Sequence, residues 1–286
     1  MSPMDNAAVK TSGRYTLKIV IDEDPPNPRE DRDNLGRMVC WHKRYSLGDK
    51  HDYKEPEDFM RELADGGVST GELIRFVRDG EADGLRFEEN RTERIVTLMS
   101  YWDFNKYWGE EYSAPYPLDE NDARLRDAIL DNMRIGDLRR FAERTNLIAP
   151  LYLYDHSILG ISTDTFLGRA HHAEWDSGQV GFVCAGHADI AEEYGDVSPG
   201  SIEKARKILN AETETYDCYL RGECYGFRLF KDGEEQDSCW GFLGGFDEAK
   251  EAIREYIPED AAALIDGAEY GDDDPEHEPG GEETEA

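Results

Sequence analysis

The segment Cys224–Phe242, CYGFRLFKDGEEQDSCWGF, constrains this chain more than any other stretch. Its Asp232-Gly233 pair stands between two aromatic-rich runs. Asp-Gly supplies the two positive-φ residues of a type I′ turn, whose twist matches that of the strands it joins. A two-residue β-hairpin is therefore expected. Uninterrupted pairing from such a turn sets Lys231 opposite Glu234, Arg228 opposite Asp237 as a charge pair, and Tyr225 opposite Trp240. It also makes Cys224 and Cys239 diagonal neighbours. That spacing, ~7–8 Å, is wide for a disulfide, and small buried apolar side chains are the better reading.

Other local signals fill in the chain. Tyr15, Leu17, Ile19 and Ile21 alternate as in a half-buried strand, and RMVCWHKRY (Arg37 to Tyr45) reads as a second. Pro56 suits the first turn of a helix to Ala64, and Ser69 or Thr70 can cap another through Arg78. RIVTLMSY (Arg94 to Tyr101) is strand-like. DFNKYWGEEYSAPYP, which follows, reads as an aromatic loop packed on the domain. Asp119 to Asn146 predicts one helix, or two broken near Gly136. Ser198-Pro199 opens a long helix that Gly222 can end, and Phe246 to Ile257 is amphipathic.

Strands come singly and in hairpins rather than in steady strand–helix alternation. The expected class is α+β, one domain over 14–265 with a mainly antiparallel or mixed sheet, a C-terminal β-hairpin and packed helices. Residues 1–13 and the acidic segment 266–286 are expected to be disordered.

Charge bears on surroundings more than on fold. The chain has 64 Asp and Glu against 32 Lys and Arg, a formal −32. Ten of the acids fall in 266–286, so the rest carries 54 acids against 32 bases, or −22. Such a body repels itself and phosphate backbones at low salt. In molar salt the Debye length shrinks to roughly 3 Å and the repulsion fades. With 22 Arg to 10 Lys, the composition reads as haloarchaeal, a solvent adaptation. A competing reading is an acidic DNA mimic that inhibits a host defence protein; it requires carboxylates in two rows at duplex-phosphate spacing. Direct duplex binding is not expected. No apolar leader or run of about 18 apolar residues occurs, so a cytoplasmic protein without a membrane span is expected. The five cysteines form no C-x2-C pair, which argues against a zinc ribbon or a disulfide framework.

Ile148 to Ala185 is the most apolar part of the chain, with polar groups at the edges of its strand-like runs. Asp155-His156-Ser157 follows one run, and Trp175-Asp176-Ser177-Gly178 precedes the next. Neighbours on a strand point to opposite faces, so the tripeptide cannot form a triad alone. Asp176, His171 and His172 are the nearest partners in sequence. Asp155, His156, Asp176 and Asp217 are the candidate catalytic groups, with His42 as a possible addition. Asp155, His156 and Asp176 are the candidate metal ligands, because two carboxylates and an imidazole can hold an ion and activate water. The bland reading makes Asp155, Ser157, Asp176 and Ser177 turn residues that bind backbone amides. Phosphate-loop, dinucleotide-fold, zincin and nucleophile-elbow signatures are absent, and no cofactor is assigned.

Taken together, DNLGRMVCWHKRYSLGD (Asp33 to Asp49), YLYDHS, WDSGQVGF, ETYDCYLRGECYGF and DSCWGFLGGF resemble an uncharacterised family carried by phages, plasmids and integrative elements. The resemblance runs from Tyr15 to about Tyr256. It implies a viral or mobile-element origin and carries over no reaction or catalytic set. Two main expectations follow: an accessory protein that binds a host or element-encoded protein, or a metal-dependent hydrolase built on the central Asp and His groups.

Overall fold

The computed structural model describes residues 6–271. Along the chain come β1 (Asn6–Ser12), β2 (Tyr15–Ile21), α1 (Pro28–Asp31), β3 (Arg37–Cys40), α2 (Pro56–Asp65) and α3 (Thr70–Arg78). The middle holds β4 (Leu85–Asn90), β5 (Ile95–Trp102), β6 (Tyr107–Pro115), α4 (Ala123–Asp131) and α5 (Ile135–Ala142). β7 (Asn146–Asp155), β8 (Leu159–Ser162), α6 (Ala173–Asp176), β9 (Ser177–Gly186) and α7 (His187–Tyr194) follow. The chain then forms α8 (Pro199–Arg221), β10 (Cys224–Lys231), β11 (Glu234–Leu243), α9 (Phe246–Arg254) and α10 (Ala263–Asp266). This is the expected α+β class. Among the described residues no helix is long and apolar enough to cross a membrane.

Where one domain is expected over 14–265, packing divides the chain into two compact units. Unit 1 takes Met1–Asn34, Leu151–Gln179 and Asn210–Ala286; unit 2 takes Leu35–Pro150 and Val180–Leu209. Three of the four crossings fall inside β7, β9 and α8, so no Pro- or Gly-rich linker marks them in the sequence.

Unit 1 contains an antiparallel sheet in the order β1-β2-β10-β11. Leu17, Ile19, Phe227 and Leu229 bury one face of it against Ala249, Ile253, Leu264 and Ile265 of the C-terminal helices. The type I′ turn forms as expected, with Asp232 at φ 54° and Gly233 at φ 84°. The register does not follow the uninterrupted ladder. Lys231 does face Glu234, but bulges then place Leu229 opposite Asp237, Arg228 opposite Ser238 and Tyr225 opposite Phe242. Each bulge adds one residue to β11. At the second, the Trp240 indole covers Gly226, where an added Cβ would lie 2.4 Å from the ring. Arg228 consequently pairs with Glu235 instead of Asp237.

The N-terminus departs from expectation as well. Residues 6–12 form β1, with Ala7, Ala8 and Val9 buried, because β2 offers an open edge and the alanines fit under the C-terminal helices. Gly271 N donates to Ala7 O at 2.8 Å and Ala268 is buried, so 266–271 is part of the fold. The remaining acidic segment expected to be disordered, 272–286, lies outside the described residues, as do residues 1–5.

Unit 2 centres on a helical core. Phe59 and Met60 of α2, Leu73 and Val77 of α3, Ile129 of α4 and Leu138 and Phe141 of α5 meet Leu85 and Leu98 of the β4-β5-β6 sheet. Ser69 and Glu72 form the capping box that starts α3. Asp122 accepts from Arg124 N and Leu125 N to start α4, and the helix pair breaks at 132–134, just before Gly136.

Two segments read differently here. The expected aromatic loop folds from Tyr107 as β6, which completes the backbone pairing of β5. Pro115, which has no N–H to pair, falls at its end. β3 stops at Cys40 rather than Tyr45, because the chain folds back on it. Asp49 N donates to Met38 O, Met38 N donates to Asp49 Oδ2, and β9 pairs with β3 as well.

Candidate functional site

The central Asp and His groups lie in unit 1, around the β7–β8 hairpin. Pairing of Tyr152 with Ser162 through Asp155 with Leu159 leaves His156 and Ser157 in the turn. α6 is a single turn of helix entered through His172, which holds φ 56°. The positive φ reverses the chain and places Asp176 at the start of β9. There His156 Nδ1 lies 2.9 Å from Asp176 Oδ2.

A carboxylate only accepts, so Nδ1 donates and Nε2 of the neutral ring keeps its lone pair. The pair is partly open to solvent, with side-chain exposures of 47% for His156 and 29% for Asp176. Tyr154 stacks on His156 with ring centres 6.0 Å apart and on Phe166 at 5.5 Å. Its hydroxyl donates to His171 O at 2.9 Å. The His172 ring lies 6.5 Å from His156 and meets His171 edge-on at 3.8 Å. The same segments carry exposed Ile158, Leu167 and Trp175. This arrangement gives an oriented imidazole, able to take a proton through Nε2, beside aromatic and apolar side chains.

The other groups do different work. Asp217 accepts from Ile161 N at 2.7 Å and from Arg221 at 3.4 Å, which ties α8 to β8. Asp155 closes β7 opposite Leu159. Ser177 Oγ donates to Ala173 O, the local bond expected of a turn residue. Among the described residues no three His, Cys, Asp or Glu side chains converge to hold a metal ion. The set Asp155, His156 and Asp176 is therefore not gathered as ligands; only His156 and Asp176 meet. His42 belongs to unit 2, where it stacks on Tyr45.

All five cysteines are free thiols. Burial pushes Cys184 up to about 12 and Cys218 and Cys224 up to about 11, so none of these three is an activated nucleophile.

Sequence reasoning undervalued the tip of the β5–β6 hairpin. Trp102 and Tyr107 stack nearly parallel, 6.2 Å apart and 9° from coplanar, and Phe104 is 96% exposed. Glu111, the extra residue of a bulge in β6, accepts from Trp102 Nε1 at 3.2 Å and from Ser100 Oγ. Of the aromatic loop expected to pack on its domain, Tyr112 does pack on the core, whereas Phe104 and Tyr107 at the tip face solvent. The signal in the sequence was the density of rings in WDFNKYW (Trp102 to Trp108).

The fold and these two features define an acidic α+β protein with one oriented His–Asp pair and one aromatic hairpin tip. Comparison with family models, with curated proteins and with solved structures found no match to this chain.

Proposed function

We propose that this protein is an accessory factor of a virus or mobile element of a halophilic host, and that it acts by binding another protein through the β5–β6 tip. The observation that carries this reading is the exposure of Phe104 beside the stacked Trp102 and Tyr107. Large rigid aromatic rings contribute much contact area at low entropic cost, and they dominate the energetics of protein interfaces. In a chain of mean hydropathy −0.74, three such rings at one turn are a costly thing to leave in water. The fitting partner is a host or element-encoded protein with an apolar pocket bordered by Lys or Arg. A basic border complements the formal −32 of this chain.

The test is affinity capture from host lysate in molar KCl, followed by reconstitution with the purified partner. The wild type should form a stoichiometric complex by gel filtration. A Trp102→Ser/Phe104→Ser/Tyr107→Ser variant of unchanged stability should not. Identical complexes with both would sink the reading.

A second reading rests on the His156–Asp176 contact: acid–base hydrolysis in which His156 Nε2 activates water and Asp176 orients the ring. On a panel of phosphodiesters and esters, His156→Gln should remove turnover and Asp176→Asn should reduce it. Turnover equal in wild type and His156→Gln would end this alternative.

A further inference from the structure

We propose that the cleft formed by residues 40–54 of unit 2 binds a small ligand that carries both an aromatic ring and a phosphate, a mononucleotide in chemical type. The cleft measures about 620 Å³, within the range of small-molecule sites. Lys43, Lys50, Lys54, His42, Tyr45 and His51 are among its lining residues.

The charge argument comes from where lysine is placed. The chain has only 10 Lys, and three of them line this one cleft. Several arginines elsewhere are spent on carboxylates: Arg61 bridges Asp127 and Asp131, and Arg134 bridges Asp83 and Asp103. Lys43 and Lys54 belong to the same short segment, on either side of the Gly48 turn, and both line the cleft. Asp49, also in the lining, turns a carboxylate oxygen to Met38 N at 2.8 Å. Distant acids matter little in concentrated salt, where the Debye length is roughly 3 Å. A phosphate at the cleft would then meet mainly the local ammonium groups.

The ring argument comes from His42 and Tyr45. Their rings stack 4.9 Å apart and 6° from coplanar, a flat pair that a nucleobase can extend.

The lining is also fixed in advance. Gly48 lies against β3 at φ 70°, where an added Cβ would come 2.6 Å from Met38 O. His51 Nε2 donates to Cys40 O at 2.9 Å, and Trp41 Nε1 donates to Tyr53 O at 3.1 Å. A preformed wall lowers the ordering cost of binding. Because Nε2 is the donor, His51 Nδ1 is an acceptor in the neutral ring. It is buried and has no hydrogen-bond partner. A buried nitrogen left unsatisfied is costly.

The test titrates the full chain in molar KCl with AMP, adenosine and inorganic phosphate as separate probes, read by calorimetry. AMP should bind at least about tenfold more tightly than either fragment. Lys43→Ala/Lys54→Ala should weaken AMP by about tenfold or more with unchanged melting, and Lys43→Arg/Lys54→Arg should retain it. Tyr45→Ala should weaken AMP and leave phosphate unaffected. The proposal is overturned by a lack of saturable AMP binding, by either fragment binding as tightly as AMP, or by an alanine variant that binds like wild type. A 5′-phosphorylated oligonucleotide that binds more tightly than AMP would overturn the mononucleotide assignment in favour of a strand end. None of these outcomes touches the aromatic tip, so this proposal and the docking reading fail separately.

Discussion

The β10–β11 and β5–β6 hairpins are built alike and end differently. Each joins two antiparallel strands, and each is bulged in its second strand, β11 twice and β6 once. The β10–β11 tip is tied down: Asp232 N donates to Arg14 O at 2.8 Å, and the Arg14 guanidinium donates to the Asp232 carboxylate. Tyr225 and Phe227 of β10 turn inward and are buried. The β5–β6 tip has Phe104 in water and a four-residue turn closed by Lys106 N donating to Trp102 O at 2.7 Å. One hairpin uses its rings to hold a sheet on its helices. The other displays them at no evident gain in stability, which is why the docking reading rests there.

The largest expected difference between the two lies in ring deletion. Phe227→Ala should cost ~3–5 kcal/mol of unfolding free energy, the usual loss for a buried ring. Phe104→Ala should change it by less than about 0.5 kcal/mol, as for other surface sites. Denaturant melts of both variants at one salt concentration measure this. Comparable losses would mean that Phe104 packs in solution and would remove the basis for docking.

The next effect concerns the Trp240–Gly226 contact. Gly226→Ala should destabilise by about 1–3 kcal/mol, because the new methyl meets the indole. In a double-mutant cycle with Trp240→Ala, the pair should cost clearly less than the sum of the single variants. Strict additivity would show that the indole does not lie over Gly226.

The smallest effect is electrostatic. Hydrogen bonding to Arg14 lowers the Asp232 carboxyl below its usual 3.8. A lowered folded-state value means that the tie contributes above the unfolded value and is lost as pH falls through the folded one. Asp232→Asn should therefore melt slightly below wild type at neutral pH. The gap should close as the pH drops below 3.8, and it should narrow in high salt. A gap that persists in acid would assign the effect to turn geometry instead of charge.

These contrasts also show what was readable in advance. Asp232-Gly233, the Ser69–Glu72 box, Pro56 and Pro199 at helix starts and Gly222 after α8 all act on their own backbone within a few residues. Such signals survive without knowledge of the rest of the chain. The register of β11 was not readable, because two bulges shift it and one of them lies where Trp240 packs on Gly226. Strand β1 was missed because a weakly apolar NAAVKTS becomes a strand only where β2 leaves an edge to pair with.

The candidate site divides in the same way. The sequence by itself determined an acidic α+β chain, its turns and caps, and the two short segments from which His156 and Asp176 come. Tertiary structure decided that these two meet across 20 residues, that Asp217 serves β8 instead, and that among the described residues no third ligand joins them. It also decided which rings face water. Local propensities act through neighbouring backbone, whereas side-chain pairing and exposure depend on which distant surfaces fold back to cover a residue.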